Sequence, residues 1–229
     1  MLSSSNWLLQ ESKSHLTNST VKFANTIALL SEEKKDAVMA MGFGGLLKMP
    51  NTCLRRQMLL DIAKRYEVTN QSFKICGRYV QILAEDVKDI LGLNIEGLNV
   101  AKHLGPKYAK KKDSIVHEEL FTRLVDEKKN ELSIIKLQDI ITGSPTADDD
   151  FKRAFVMFTI GVILAPTTKE SVHSSYLPLV REVSQIPNFN WGEFTLNYLL
   201  DAIHNFNVRN LASVSGNLTL LQVVYIFYS

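Results

Sequence analysis

The sequence is poor in cysteine, in net charge and in long apolar runs. Its only cysteines, Cys53 and Cys76, fit no metal-binding spacing, and they indicate buried thiols in a reducing compartment. The formal net charge is +2, with 26 basic and 24 acidic residues, so no overall field directs the chain to nucleic acid or to an anionic membrane. The polar N-terminus has neither the basic start nor the apolar run of a signal peptide. These absences predict a nuclear or cytoplasmic protein.

The strongest apolar run, AFVMFTIGVILA at 154–165, is too short to cross a bilayer. As a helix it would cover about 18 Å, whereas a membrane span needs about 20 residues. The overall composition, with 45% apolar and 22% charged residues, is that of a folded globular domain. We therefore expect no membrane span, and we expect this run to form the central buried helix.

Helical periodicity and helix-start signals recur along the chain. Ser31, Thr146 and Asn190 each precede acidic residues at the positions that favour a helix N-terminus, and Asn51 or Thr52 can start another helix. The segments predicted to be helical are 31–42, 51–66, 84–92, 114–130, 131–141, 146–166 and 191–206, with 216–229 as a helix or a strand.

One segment, SFKICGRYVQI at 72–82, alternates apolar and polar residues on both sides of Gly77 and predicts a small β-hairpin. The expected fold class is all-α, a single, mainly helical globular domain with this one hairpin. Residues 1–30 are expected to be loosely ordered. Residues 31–229 then form the helical domain, which looks truncated because the sequence stops inside an apolar segment.

The stretch MGFGGLLKMP at 41–50 resembles a phosphate-binding loop at first sight, but its spacing does not fit. A Walker loop needs Gly-Lys followed by Ser or Thr, and Lys48 here follows two leucines. We predict instead that Gly42 ends a helix and that Gly44 and Gly45 form a tight turn. No cofactor is predicted.

Other chemistry-bearing patterns are incomplete. HEEL at 117–120 lacks the second histidine of a zinc protease, and DDD at 148–150 points three carboxylates in different directions. Neither cysteine has a local signature that pairs it with one of the scattered histidines. We predict no catalytic residue and no metal site, while a cysteine hydrolase with an unrecognised site stays as an alternative hypothesis.

Two segments are candidates for binding. The first is a lysine-rich loop that is either solvated, a contact for a polyanion such as nucleic acid, or a nuclear-import element; it contains Lys107, Lys110, Lys111 and Lys112. The second is the apolar C-terminal segment 218–228, which we expect to dock into the core or to form a surface for a partner or for self-association. Its apolar residues are Leu218, Leu220, Leu221, Val224, Tyr225, Phe227 and Tyr228.

Several phrases, in a fixed order over about residues 38–226, resemble a transposon-associated family of plant proteins. They are MGFGGLLKMP, RYVQILAEDVKDILGLNIEG, VMFTIGVILAPTTKESVHSSYLPLV, IPNFNWGEFTLNYLLDAI and SGNLTLLQVVYI. The chain is similar to the helical plant mobile domain of that family, also labelled aminotransferase-like, which often precedes a SUMO-protease-like domain. No cysteine follows Cys76, so the catalytic set of such a protease is absent from this sequence.

The resemblance implies a nuclear protein that acts through protein partners in gene and transposon silencing. Our first hypothesis is therefore a non-catalytic protein-interaction domain derived from a plant mobile element, acting through a partner or as a homo-oligomer. The second is a transposon-derived element recruited in genetic conflict as a toxin, an antidote or a dominant interfering subunit.

Overall fold

The computed structural model describes residues 15–49, 54–105, 125–126 and 130–229. Within these residues the α-helices are α1 (His15–Ala28), α2 (Glu32–Ala40), α3 (Arg56–Lys64), α4 (Ala84–Leu91), α5 (Ile134–Gly143), α6 (Asp149–Thr159), α7 (Trp191–Val208) and α8 (Leu218–Tyr228). The strands are β1 (Tyr66–Glu67), β2 (Ser72–Ile75), β3 (Arg78–Gln81), β4 (Val125–Asp126), β5 (Glu131–Ser133) and β6 (Ser171–His173). The predicted fold class, a mainly helical single domain, is confirmed.

Side-chain caps explain where several helices begin. The Ser31 and Asn190 side chains accept hydrogen bonds from the backbone N–H three residues further on, as predicted for α2 and α7. The prediction of Thr146 as the cap of α6 is wrong. The cap is Asp148, whose carboxylate accepts a hydrogen bond from the backbone N–H of Phe151 at 2.8 Å. Asn51 or Thr52 was also the wrong choice for α3, since Arg55 occupies its cap position without a side-chain hydrogen bond.

The predicted hairpin at 72–82 is confirmed. Strands β2 and β3 pair antiparallel with Ile75 opposite Arg78, so two residues, Cys76 and Gly77, make the turn. Both turn residues have positive φ, 46° and 81°, as the tight turn of a two-residue hairpin requires. Strand β1 pairs with β2 and extends the hairpin to three strands.

A second three-stranded sheet, in the order β4-β5-β6, was not predicted. It replaces part of the two helices expected over 114–130 and 131–141, so α5 begins only at Ile134. Leu132 pairs with Val172, a partner 40 residues away that no local pattern shows. The apolar periodicity of 131–141 predicts a helix from its first residue. This prediction is wrong for residues 131–133, which form strand β5.

Helix α1 lies inside the segment that we expect to be loosely ordered. Its Phe23 is nevertheless buried, and its ring stacks on Phe158 of α6 with the centroids 6.0 Å apart. Helix α1 thus contributes to the core through Phe23, because an apolar ring of this size is stabilised by burial against other rings.

The apolar run 154–165 forms the centre of the molecule, as predicted. It continues α6 into a π-helical turn at Ile160–Leu164, and every residue of the run is buried. Around it pack α1, α5 and α7. Across the described residues, no helix combines the length and apolarity that a membrane span requires.

The glycine turn is a packing element, as predicted, but the glycine that matters most is Gly45. A Cβ there would lie 2.6 Å from the Cα of Gly92, so the two backbones touch directly. A Cβ on Gly44 would meet only the flexible side chain of Met39, at 3.1 Å. Gly42 follows the end of α2 with a φ of +86°, a conformation that glycine adopts without strain.

Candidate functional site: a groove along helix α7

An open groove of about 530 Å³ runs along the outer face of α7. Its other walls come from the short helical turn Val100–His103, the loop 211–215 and the side chain of Tyr176. A volume of this size suits a ligand or a short peptide segment. The residues of α7 and its ends that line it are Asn190, Glu193, Phe194, Asn197, Tyr198, Asp201, Ala202, Asn205 and Arg209.

The lining of the groove repeats every four residues along α7, because residues four apart share one face of an α-helix. One row is polar and consists of Glu193, Asn197, Asp201, Asn205 and Arg209. The neighbouring row is aromatic and apolar and consists of Phe194, Tyr198 and Ala202. The opposite face of the helix is buried in the core.

Asn190 fixes the N-terminal end of the groove. Its Oδ1 caps α7, while its Nδ2 donates to the Ile95 carbonyl at 2.7 Å and to Glu193 Oε2 at 2.9 Å. The backbone N–H of Asn190 donates to the Leu98 carbonyl, which lies next to the wall at Val100. The hydrogen bonds of this one buried asparagine thus fix the positions of the helix N-terminus, the Glu193 carboxylate and the neighbouring wall relative to one another.

Three rings form the aromatic side of the groove. Phe194 meets Tyr176 edge to face with centroids 5.9 Å apart, and it lies 6.4 Å from the ring of Tyr198. Burial raises the pKa of Tyr176 well above the usual tyrosine range, and it also raises the pKa of Tyr198. Within the described residues neither hydroxyl has a hydrogen-bond partner, so both can bond to a ligand.

The charged groups of the groove are Glu193, Asp201 and Arg209. None of them forms an ion pair with another residue that the structure describes. Burial, and then the nearby Asp201 carboxylate, raise the pKa of Tyr66, so the field of Asp201 reaches a neighbouring side chain. The groove therefore carries two carboxylates against one guanidinium.

In the part of the chain that is described, no three His, Cys, Asp or Glu side chains lie close enough together to hold a metal ion. Cys76 lies exposed in the hairpin turn, so the prediction of a buried thiol is wrong at this position, and Cys53 lies outside the described residues. The chemistry available in the groove is hydrogen bonding, ring contact and charge pairing.

The lysine-rich loop, Lys107, Lys110, Lys111 and Lys112, lies outside the described residues, so its role stays a prediction. The C-terminal segment forms α8, whose Leu218, Leu220, Leu221 and Val224 are buried in the chain's own core. Tyr225 is half-buried, while Phe227 and Tyr228 are exposed. A surface for a partner or for self-association on this segment also stays a prediction. Of the predicted residues, Tyr225, Phe227 and Tyr228 are the ones exposed enough to form it.

Sequence reasoning missed the groove. Helical spacing puts Phe194 and Tyr198 on one apolar face of α7. Both rings pack against the core, but they are only half-buried and they also line the groove. The four-residue spacing of Glu193, Asn197 and Asp201 was the available signal for a polar outer face. The opposing wall, however, lies about 90 residues earlier in the chain at Val100, and no local pattern indicates that packing.

Comparison with known proteins identifies relatives in Arabidopsis thaliana. The chain is similar to Protein MAIN-LIKE 2, with 26% identity over 202 residues that cover 84% of this chain and 30% of that protein. Protein MAIN-LIKE 1 is 25% identical over 204 residues, which are 84% of this chain and 40% of that protein. A serine/threonine-protein phosphatase 7 long form homolog is 21% identical over 192 residues, which are 81% of this chain and 14% of that protein.

The chain thus spans well under half the length of these curated relatives. No solved structure matches it. The model of the family described as "Domain of unknown function (DUF8566)" matches residues 17–222. The chain therefore belongs to the DUF8566 family, and its MAIN-LIKE relatives confirm the resemblance to the plant mobile domain.

Proposed function

We propose that this chain is a non-catalytic protein-interaction domain derived from a plant mobile element, and that a partner protein binds in the groove along α7. The observation that carries the proposal is the pair of parallel rows on that helix, one polar and one aromatic, which together line the groove. A helix packed only for stability would bury its aromatic residues or leave a purely charged face in water.

The polar row suits a polypeptide backbone. The amide of Asn197 offers donors and an acceptor, as a peptide bond does. Asn205 lies about 12 Å further along the helix; one N–H of its amide donates to the Asp201 carbonyl, which leaves its oxygen and the second N–H for a partner. An extended segment of about four residues covers that distance. The tyrosine hydroxyls on the other side supply further hydrogen bonds, and tyrosine is enriched at protein interfaces.

The family resemblance supports a role for this interaction in gene or transposon silencing, in the nucleus or the cytoplasm. The relatives are much longer than this chain, so whatever their remaining regions do is not carried over.

The test is co-purification from plant cells with a blocked groove. Ala202 lines the groove, so Ala202→Trp fills it with a neutral ring, while Ala40→Trp places the same ring at an exposed position at the end of α2. We expect the wild type and Ala40→Trp to recover the same partner proteins. With Ala202→Trp the recovered amount of these proteins should be at least tenfold lower, measured by quantitative mass spectrometry. Thermal unfolding checks that both variants are folded.

Equal recovery of partners by both variants would contradict the groove as the binding site. Cell death on expression, without any partner that is sensitive to Ala202→Trp, would instead favour the hypothesis of a toxin or an interfering subunit. Fluorescence of a tagged chain in the same cells determines whether it lies in the nucleus or the cytoplasm.

A further inference from the structure

We infer that the groove along α7 recognises a partner segment by a cationic side chain, Lys or Arg, which lies against Asp201 and the ring of Tyr198. This inference rests on the proposed function and adds the chemistry of the segment that is bound. Three features of the groove support it.

The first feature is the sign of the charge. Asp201 is exposed in the groove and unpaired within the described residues, and Glu193 lies two turns before it on the same row. Arg209, the positive group of the lining, lies two turns further on, about 12 Å from Asp201 along the axis.

The second feature is the aromatic side chain beside the carboxylate. Tyr198 precedes Asp201 by three residues, so their side chains are neighbours on the helix surface. A cation that is attracted to Asp201 therefore lies within reach of the tyrosine ring, and an aromatic face attracts ammonium and guanidinium groups. The aliphatic stem of Lys or Arg can pack along the rings of Phe194 and Tyr198 while its charged end meets the carboxylate.

The third feature excludes a different occupant. A nucleic acid presents phosphates, which the Glu193 and Asp201 carboxylates would repel, and among the described lining residues only Arg209 is positively charged. A segment with an acidic side chain meets the same repulsion. A basic polypeptide segment satisfies the charges, the rings and the asparagine amides together.

The experiment is a selection of displayed random twelve-residue peptides on the full chain, followed by affinity measurements on synthetic copies of the best peptide. The baits are the wild type, Ala202→Trp, Ala40→Trp and Asp201→Asn. We expect the wild type and Ala40→Trp to retain peptides in which Lys or Arg is enriched at least fivefold at one position. Replacing that residue by norleucine, or the protein's Asp201 by Asn, should weaken binding about tenfold.

The outcomes separate this inference from the proposed function. One outcome is that no peptide binds the wild type, or that every peptide that binds it also binds Ala202→Trp. The groove is then not a peptide site, and both proposals are wrong. If retention depends on the open groove but shows no basic enrichment, or if Asp201→Asn binds as tightly as the wild type, the groove binds a partner and the inferred cation is wrong. Thermal unfolding of each bait shows that loss of binding is not loss of folding.

Discussion

Helices α6 and α7 both pack in the core, yet they differ in how many of their faces it covers. The apolar run that begins in α6 is enclosed on every side, whereas α7 buries one face and turns the other toward the groove. Phe155 of α6 is fully buried, and Phe194 of α7 is half-buried with one side toward the groove. The same residue type therefore serves packing in one helix and lines a potential binding site in the other.

The difference follows from what surrounds each helix. Helix α6 and its π-helical continuation contact α1, α5, α7 and a short helical turn at Ser174–Val180, so no side of the run remains free. Helix α7 contacts α3 and α4 on its inner side, but on its outer side the neighbouring walls stand apart and leave the groove. Substitutions within the enclosed run should therefore act on stability, whereas substitutions in the exposed polar row of α7, such as at Asn197, should change binding with little effect on stability.

The largest expected effect distinguishes the two phenylalanines. Phe155→Ala removes a buried ring and leaves a cavity, and it should lower the free energy of unfolding by about 3–5 kcal/mol. Phe194→Ala should lower it by less than half as much, because part of that ring already faces the groove. Urea unfolding of the two variants measures both values, and similar losses would show that Phe194 is a core residue after all.

A pair of asparagines sharpens the same comparison at a smaller scale. Asn217 is buried, donates from Nδ2 to the carbonyl of Ile163 in the π-helical turn and caps α8 through Oδ1. Asn217→Ala leaves that carbonyl and the capped N–H without partners, so it should lower the free energy of unfolding by about 1–3 kcal/mol. Asn197→Ala, on the exposed row of α7, should change it by less than about 0.5 kcal/mol.

Urea midpoints of the two asparagine variants, with their m-values compared to the wild type, provide the measurement. A loss at Asn197 as large as that at Asn217 would mean that the outer row of α7 stabilises the fold, and it would remove the reason to regard that row as a binding surface.

The two helices also show what the sequence could and could not predict. The enclosed run is recognisable in the sequence, because Thr159 is the one polar side chain among the twelve residues 154–165 and no face of the helix is polar. The start of α7 was predictable from Asn190 and Glu193, since a cap and its partner are three residues apart. For α6 the same rule selected Thr146 instead of Asp148, because several neighbouring residues were capable of capping and only the backbone geometry chooses among them.

Long-range contacts account for what the sequence did not reveal. The pairing of Leu132 with Val172 creates the second sheet, and the approach of Val100 to α7 creates the groove. Neither contact can be predicted from local sequence patterns, because the residues that meet are far apart in the chain. Helical spacing places Phe194 and Tyr198 on an apolar face of α7, where they do pack against the core, and only the position of the opposing wall shows that they also line the groove.

The smallest expected effect concerns the tyrosines of the groove at high pH. Burial raises the pKa of Tyr198 above its unfolded value of 10.0, so the unfolded chain loses this proton first. The stability that this group contributes is therefore fully present below about pH 10 and is lost as the pH rises through the folded-state pKa. The resulting decrease in the free energy of unfolding should be a fraction of the decrease caused by Asn217→Ala, since the tyrosine is only partly removed from water.

The variant Tyr198→Phe tests this expectation, because it keeps the ring and removes the titrating hydroxyl. Its urea midpoint should match the wild type at pH 8 and should fall less than that of the wild type between pH 9 and pH 11. Titrations of lysines and of tyrosines remote from Tyr198 occur in both proteins and cancel in the comparison. The part of the rise in the Tyr176 pKa that comes from Tyr198 is removed together with its hydroxyl, so it belongs to the measured difference. Equal losses in the two proteins would show that the Tyr198 hydroxyl is as well hydrated in the folded chain as in the unfolded one. The outer face of α7 would then be an open surface without a desolvated wall, and the contrast with the enclosed α6 would be complete.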